Sequence, residues 1–283
     1  MKVVRTEREL IESAPAGCLF VPTMGALHRG HGSLVERACG WRREHGSAEP
    51  VVVSVFVNPT QFNDQADLDR YPRTPEADVA LCRSFGADIV FMPEEGEVYP
   101  VGRSLPAIEL PPAATLPGLE DAFRPGHFEG VCQVVARLFG LTRASVAFFG
   151  EKDWQQLKVI EALAARLGGP RVVGAPTVRE PDGLAMSSRN VFLSADDRRR
   201  ALAIPEALRR AAEICSPVRA ERAMKEALVA AGLDVEYAVV RNAEDLMPFD
   251  MPEPEGCRRG RSLIAARAGT VRLIDNAAWG EVF

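Results

Sequence analysis

Histidine is scarce in this 283-residue chain, with four residues against 34 Lys plus Arg and 39 Asp plus Glu. Two of the four, His28 and His31, stand three apart in "PTMGALHRGH". Other absences exclude whole classes. No run of about 18 apolar residues is present, which removes a membrane-spanning helix, and the opening "MKVVRTERELIESAPAG" mixes charges where a secretory signal needs an apolar core. A soluble, unprocessed chain is expected. There is no GxxxxGKS/T, so a P-loop is excluded. The six cysteines, at 18, 39, 82, 132, 215 and 257, form no CxxC pair and lie mostly in apolar runs, as reduced core thiols of a cytoplasmic protein would. Basic excess is also missing: a formal charge of −5 argues against broad binding to nucleic acid, and a local basic pocket for a small phosphorylated molecule fits better.

What is present alternates. Short apolar runs precede segments of helical period: "CLFVP" then "SLVERACGWRREH", "VVVSVFV", then "EADVALCRSFG" and "ADIVFMP". Continuous apolar character in "VVVSVFV" points to a strand covered on both faces, as in a parallel sheet. Val131, Val134, Val135, Leu138 and Phe139 follow the spacing of a buried helix face, "SVAFFG" reads as the next strand, and Leu157, Ile160, Ala164 and Leu167 form another stripe. This predicts a doubly wound α/β domain over residues 1–178. Residues 179–283 read as a smaller α+β domain, with Ser194 as a helix N-cap, helices around "IPEALRRAAEI" and "RAERAMKEALVAAG", and strands "DVEYAVV", "SLIAA" and "TVRLID". Six prolines between Pro100 and Pro125 predict an irregular surface run beside the sheet edge.

The histidines then fall at or just before a helix N-terminus, at the carboxyl end of a strand, where open α/β sheets bind ligands. Free backbone N–H groups and the helix dipole favour an anion there. Imidazole donors add to them, and Gly25, Gly30 and Gly32 permit close approach of a phosphate. Two other readings stand beside this one: a capping or core role, and a metal site, although no third His or Cys cluster accompanies the pair. "GHGSLV" only partly matches a dinucleotide fingerprint, being seven residues past the strand. Asn58 and Gln61 in "FVNPTQF" should emerge at the same sheet edge, where Asn58 also suits a turn. Lys152, beside a helix start, is unfavourable there unless an anion is bound. "GLAMSSRN" sets two hydroxyls next to Arg189, a combination suited to phosphate oxygens or simply to an exposed loop.

"PTMGALHRGH", "VVVSVFVNPTQF", "YPRT", "GHFEGV", "FFGEKDWQQL", "REPDGLAMSSRN" and the tail "LIDN" together resemble the pantothenate synthetase (pantoate-β-alanine ligase) family, in its order and spacing over nearly the whole chain. Two positions depart from the pattern. Gly32 replaces a commonly larger residue and is expected to loosen the helix start; Trp154 stands where Tyr is frequent. The resemblance implies a Rossmann-like domain of the HxGH nucleotidyltransferase type, a smaller C-terminal domain that closes over ATP together with the "AMSSRN" loop, and a cytoplasmic homodimer with neither nucleic-acid nor membrane partners. It implies ATP-dependent, Mg2+-assisted condensation of pantoate with β-alanine to pantothenate through pantoyl adenylate, releasing pyrophosphate and AMP. By motif position it implies His28, His31 and Lys152 as catalytic groups. Met24, His31, Gly150, Lys152, Asp153, Val178, Met186, Ser187, Ser188 and Arg189 would surround ATP, Asp153 at the ribose and the two serines with Arg189 at the β- and γ-phosphates. Gln61 and Gln156 would hold pantoate, with Asn58 lining the same site; no metal ligand is specified. A class I aminoacyl-tRNA synthetase shares the signature type, but the chain has no basic face for tRNA. A non-catalytic nucleotide-binding protein is the other alternative.

Overall fold

Apolar runs as continuous as Val51–Val53 need cover on both faces, and helices on either side of a parallel sheet supply it in the computed structural model, which describes residues 1–62, 65–100, 102, 107–249 and 259–281. The sheet contains β1 (Lys2–Val4), β2 (Cys18–Thr23), β3 (Val51–Val55), β4 (Ile89–Phe91), β5 (Ala144–Gly150) and β6 (Arg171–Ala175). Their order is β1-β4-β3-β2-β5-β6, with every pairing parallel. Among the described residues eight helices accompany them: α1 (Glu7–Ser13), α2 (Arg29–Glu44), α3 (Gln65–Arg70), α4 (Pro75–Ser84), α5 (Glu95–Val98), α6 (Glu120–Phe123), α7 (His127–Thr142) and α8 (Trp154–Leu167). Strand alternation sorts β2 between two cores. Cys18 and Phe20 join Val131, Val134, Val135 and Leu138 of α7, whereas Leu19 and Val21 join Leu34, Val35 and Ala38 of α2. The N-terminal edge strand β1 was not foreseen, because three residues are too few to show a period.

Strand β2 lies between β3 and β5, so the chain winds one way after β2 and the other way after β5. The loops leaving these two strands therefore diverge, and a crevice opens at their carboxyl ends.

Past β6 come α9 (Ala195–Ala201), α10 (Ala203–Ala212) and α11 (Pro217–Ala230), then an antiparallel sheet of β7 (Asp234–Asn242), β8 (Gly260–Ala268) and β9 (Val271–Trp279). Ser194 caps α9 by accepting the Asp197 N–H (3.1 Å), and Gly269 turns β8 into β9 at φ +59°, both as expected. Ile204, Leu208, Met224, Leu228, Ile264 and Trp279 share one core here. The Trp279 indole is satisfied by the Ala211 and Ile214 carbonyls, each at 3.0 Å.

Four expectations need correction. Leu167 is 51% exposed, because the helix ends at the αL residue Gly168 before its stripe meets the core. The proline-rich stretch, whose residues 101 and 103–106 lie outside the described residues, does not simply skirt the sheet edge. Ala114, Leu119 and Glu120 are buried, and the Ala113 carbonyl accepts from Gln155 of α8 (2.9 Å). Cys215 is an exposed thiol; Cys18, Cys39, Cys82 and Cys132 are buried and free, and Cys257 lies outside the described residues. Gly32 does not loosen α2, whose first turn is regular and capped: a Cβ at this position would fall on the Phe85 ring. No helix among the described residues is long and apolar enough to cross a membrane.

The Gly32 contact predicts that Gly32→Ala lowers unfolding free energy by about 1–3 kcal/mol, the usual cost of overpacking. Phe85→Leu should recover part of that loss. Equal urea midpoints for Gly32→Ala and the parent chain would show that the ring does not set the limit.

Candidate active site

The loop from β2 to α2 is fixed before any ligand is considered. Buried Asp78 of α4 accepts the N–H groups of Ala26 (3.2 Å) and Leu27 (2.8 Å), and Thr74 donates its hydroxyl to the same carboxylate (3.0 Å). Gly25 turns the chain at φ +81°, with Asp78 packed where a Cβ would stand. His28 arrives as the N-cap of α2.

The cap is a reciprocal pair of imidazoles. His28 Nδ1 accepts the Gly30 N–H (3.1 Å), and His31 Nδ1 accepts the His28 N–H (3.2 Å). An imidazolium has no lone pair to accept with, so both rings are neutral and carry their proton on Nε2. The electrostatics agree. Burial, then Lys152, lowers the His28 pKa; burial, then His28 and Lys152, pushes His31 down to about 3. This narrows the expectation of free helix N–H groups: the His28 and Gly30 amides serve the imidazoles, while those of His31 and Gly32 bond the His28 carbonyl. The glycines likewise serve the loop, the His28 ring and the Phe85 ring; of the three, only Gly30 lines the cavity. An anion here meets Nε2–H donors, each polarised through a hydrogen bond at its own Nδ1.

Facing them, β5 ends at Gly150 and the chain makes a 3-10 turn, Glu151–Asp153, before α8. Lys152 keeps 21% of its side chain exposed, with Nζ 3.6 Å from the Asp153 carboxylate. Gln155 and Gln156 separate by helical rotation. Gln155 is buried and consumed by Glu120 N–H, the Ala113 carbonyl and Asp121, whereas Gln156 faces the cavity.

A third wall follows β6. Arg179 pairs with Ala185 across a short hairpin, and the Met186 N–H donates to the Val178 carbonyl (2.9 Å), setting those two residues side by side. Ser187 then caps the 3-10 turn Ser188–Phe192 by accepting the Arg189 N–H (3.3 Å). The fourth wall is the 3-10 turn Pro59–Gln61. Asn58 caps it and is 1% exposed: Nδ2 donates to the Gly130 carbonyl (3.1 Å), and Oδ1 accepts from Thr60 (3.0 Å) and Tyr99 (2.7 Å). Asn58 therefore shows the turn geometry that its position before Pro59 suggested, and it also lines the cavity.

All these residues line one cavity of about 250 Å³: Met24, His28, His31, Asn58, Gln61, Gly150, Lys152, Asp153, Gln156, Val178, Met186, Ser187, Ser188 and Arg189. An adjoining cavity of about 610 Å³ shares Lys152, Asp153 and Ser187–Arg189. Sequence reasoning missed Tyr71, Arg124 and His127, which also line the first cavity. The His127 Nδ1–H donates to the Gln61 carbonyl (3.1 Å), and burial, then Arg124, pushes its pKa down to about 4. Its scarcity as one of four histidines was a signal that went unused. Asp78 gave none, since an acid near a helix start is ordinary.

Fold and cavity together define an α/β protein that gathers neutral and cationic donors at the switch point of a parallel sheet, a site for an anionic ligand. A family model described as pantoate-beta-alanine ligase matches residues 2–278. The chain is 49% identical to a pantothenate synthetase of Cereibacter sphaeroides over 90% of its own length and 89% of that relative's. The crystal structure of pantothenate synthetase from Thermus thermophilus superposes with a TM-score of 0.88 at 45% identity, covering 98% of this chain and 99% of that one. A pantoate-beta-alanine ligase from Francisella tularensis, complexed with beta-gamma ATP and beta-alanine, gives a TM-score of 0.78 at 31% identity over 99% and 98% of the two chains. This chain belongs to the pantoate-β-alanine ligase family.

The low histidine values set the sign of acid sensitivity. Below the ordinary value of 6.5 the unfolded chain takes up protons that folded His31 and His127 refuse, down to about 3 and about 4. Their contribution to stability is full above 6.5 and falls as pH drops toward those values. His31→Asn keeps an acceptor for the His28 N–H but does not titrate, so its urea midpoint should fall less between pH 7 and pH 4. Identical pH slopes for parent and variant would contradict a buried neutral His31.

Proposed function

We propose that this chain condenses pantoate with β-alanine to pantothenate in an ATP-dependent reaction, through a pantoyl-adenylate intermediate. The observation that carries the proposal is that every residue implied for ATP and pantoate lines one cavity at the sheet's switch point. Family membership supports the substrates.

Chemically, a carboxylate oxygen of pantoate forms a bond to the α-phosphorus of ATP, and the bond to the bridging oxygen breaks to release pyrophosphate. The amine of β-alanine then attacks the adenylate's carbonyl carbon; AMP leaves with the oxygen, and the amine loses a proton. Negative charge grows on phosphate oxygens in the first step. His28 and His31 act as Nε2–H donors whose orientation is set by their Nδ1 bonds, so no reorganisation is needed as that charge develops. Lys152 neutralises the phosphates, and Ser187, Ser188 and Arg189 hold the β- and γ-groups. Asp153 takes the ribose hydroxyls, Gly150 and the facing pair Val178 and Met186 enclose the nucleoside, and Gln61, Gln156 and the Met24 backbone orient pantoate. Asn58 acts by holding the Gln61 turn.

Among the described residues no group of three or more His, Cys, Asp or Glu stands together. With Asp153 as the cavity's acid, this donor set fits Mg2+ held mainly by phosphates and water. Bound with the nucleotide, the ion would offset phosphate charge. The proposal also includes two domains, 1–178 and 179–283, the second closing over ATP to exclude water from the adenylate, and a cytoplasmic homodimer.

The test is AMP release with Mg-ATP, adding pantoate and β-alanine singly and together and confirming the amide by mass. Sustained AMP is expected only with both. His28→Ala and Lys152→Ala should each lower the rate by about 10²–10³ while leaving the melting temperature within a few degrees. ATP binding without AMP under any condition would favour a non-catalytic nucleotide-binding protein instead.

A further inference from the structure

The tail motif "LIDN" had no physical role in the sequence reading, and none of its residues was assigned to the site. Its last two residues, Asp275 and Asn276, lie on β9 and are both buried, at 3% exposure each. Asn276 Nδ2 donates to two carbonyls of the turn that carries the active-site lysine, those of Glu151 (3.0 Å) and Lys152 (2.7 Å). Its Oδ1 accepts Arg261 Nε (2.6 Å), which fixes which end of the amide faces the turn. Arg261 in turn bonds the Glu151 carboxylate (3.2 Å) and stacks on Trp154, 3.6 Å from the ring centroid. Asp275 instead holds Arg179 through two bonds, 2.7 and 3.1 Å, and Arg179 reaches the Gly183 carbonyl (3.0 Å) across the hairpin that leads into Ser187–Arg189. Asp275 Oδ1 also accepts the Asn276 N–H (2.8 Å), joining the two clamps. One dipeptide thus ties together the two walls that would face the phosphates.

We infer that Asp275 and Asn276 are positioning residues for adenylation, Asn276 acting through the backbone of the Lys152 turn and Asp275 through the Arg179 hairpin. This rests on the proposed function. The residue types match the task. Two carbonyls need two donors from one side chain, and the same side chain must accept from Arg261; an asparagine amide does both. An aspartate there would face two carbonyl oxygens with a third oxygen, and an alanine would leave both carbonyls and Arg261 without these partners.

A double-mutant cycle separates positioning from bulk stability. Pyrophosphate release is followed with ATP and pantoate and no β-alanine, in the parent chain, Asn276→Ala, Lys152→Ala and the double variant. Asn276→Ala should slow release by about 10- to 100-fold, as a misplacement near 1 Å does, with KM for pantoate changed by less than about twofold. In the Lys152→Ala background the same change should cost less than about threefold, because the group it positions is gone. Asp275→Asn should raise KM for ATP and leave KM for pantoate unaltered. If Asn276→Ala does not fold, Asn276→Ser, which retains one donor, takes its place. Failure of both to fold would assign a purely structural role and overturn the inference. Equal losses with and without Lys152, or an unchanged rate in a folded variant, would also overturn it. No pyrophosphate from the parent chain would instead reject the proposed function itself.

Discussion

Two imidazoles that cap a helix and each other are the constraint on which the site depends. Because each Nδ1 is committed to a backbone N–H, protonating either ring costs a hydrogen bond as well as the desolvation of a cation, and both stay neutral. Neutrality with the proton on Nε2 makes them donors, not general acids poised near neutral pH. Neighbouring choices follow from holding that geometry. Gly30 has no Cβ because one would meet the His28 ring at 2.9 Å, and Asp78 is buried because the loop's N–H groups need an acceptor. The neutral histidines add no positive charge of their own beside Lys152.

A second polar network fastens the proline-rich segment to the antiparallel sheet. Glu120 accepts two bonds from Arg272 (2.7 and 2.8 Å) and one from the Tyr237 hydroxyl (2.7 Å). Burial raises the Glu120 carboxyl, but Arg272, Tyr237 and Arg124 together outweigh burial and leave it below its usual range. Arg272 also pairs with Glu236 (2.7 Å), so its charge is matched on both sides. Breaking such a buried pair strands a charge, which makes it a stricter constraint on geometry than an apolar contact of equal size. Arg124, 3.5 Å from Glu120, is thereby held at the cavity wall.

Periodicity exposed the parts of this fold that depend on periodicity. The covered strands β2, β3 and β5 and the buried faces of α2 and α7 were legible because burial on a regular element repeats every two or 3.6 residues. The histidine pair was legible through spacing and the expected strand before it. What pairs across the chain was not. Gly32 and Phe85 lie 53 positions apart and interlock only once α2 packs beside α4. The role of Asn276 depends on a turn more than a hundred residues earlier, and an isolated asparagine on a strand carries no local mark of it. Leu167 erred in the opposite direction: its spacing was right, but Gly168 ended the helix before the core reached it. Val178, Met186 and Gly150 entered through family resemblance alone, since small and apolar residues that enclose a ligand look like core.

The cavity differs in charge from the chain that builds it. The whole chain carries −5, yet the first cavity gathers Lys152, Arg189 and Arg124 beside three neutral imidazoles, His28, His31 and His127, and one acid, Asp153. Low-dielectric walls focus the field of a few cations into the crevice. The same arrangement limits how much positive charge the site can hold. Arg124, Lys152 and Arg189 repel one another, and Arg124 and Lys152 already lower the pKa values of the neighbouring histidines. A charged imidazole in place of a neutral one would add to that repulsion, so the helix cap that keeps His28 and His31 neutral also permits three cations to share one cavity.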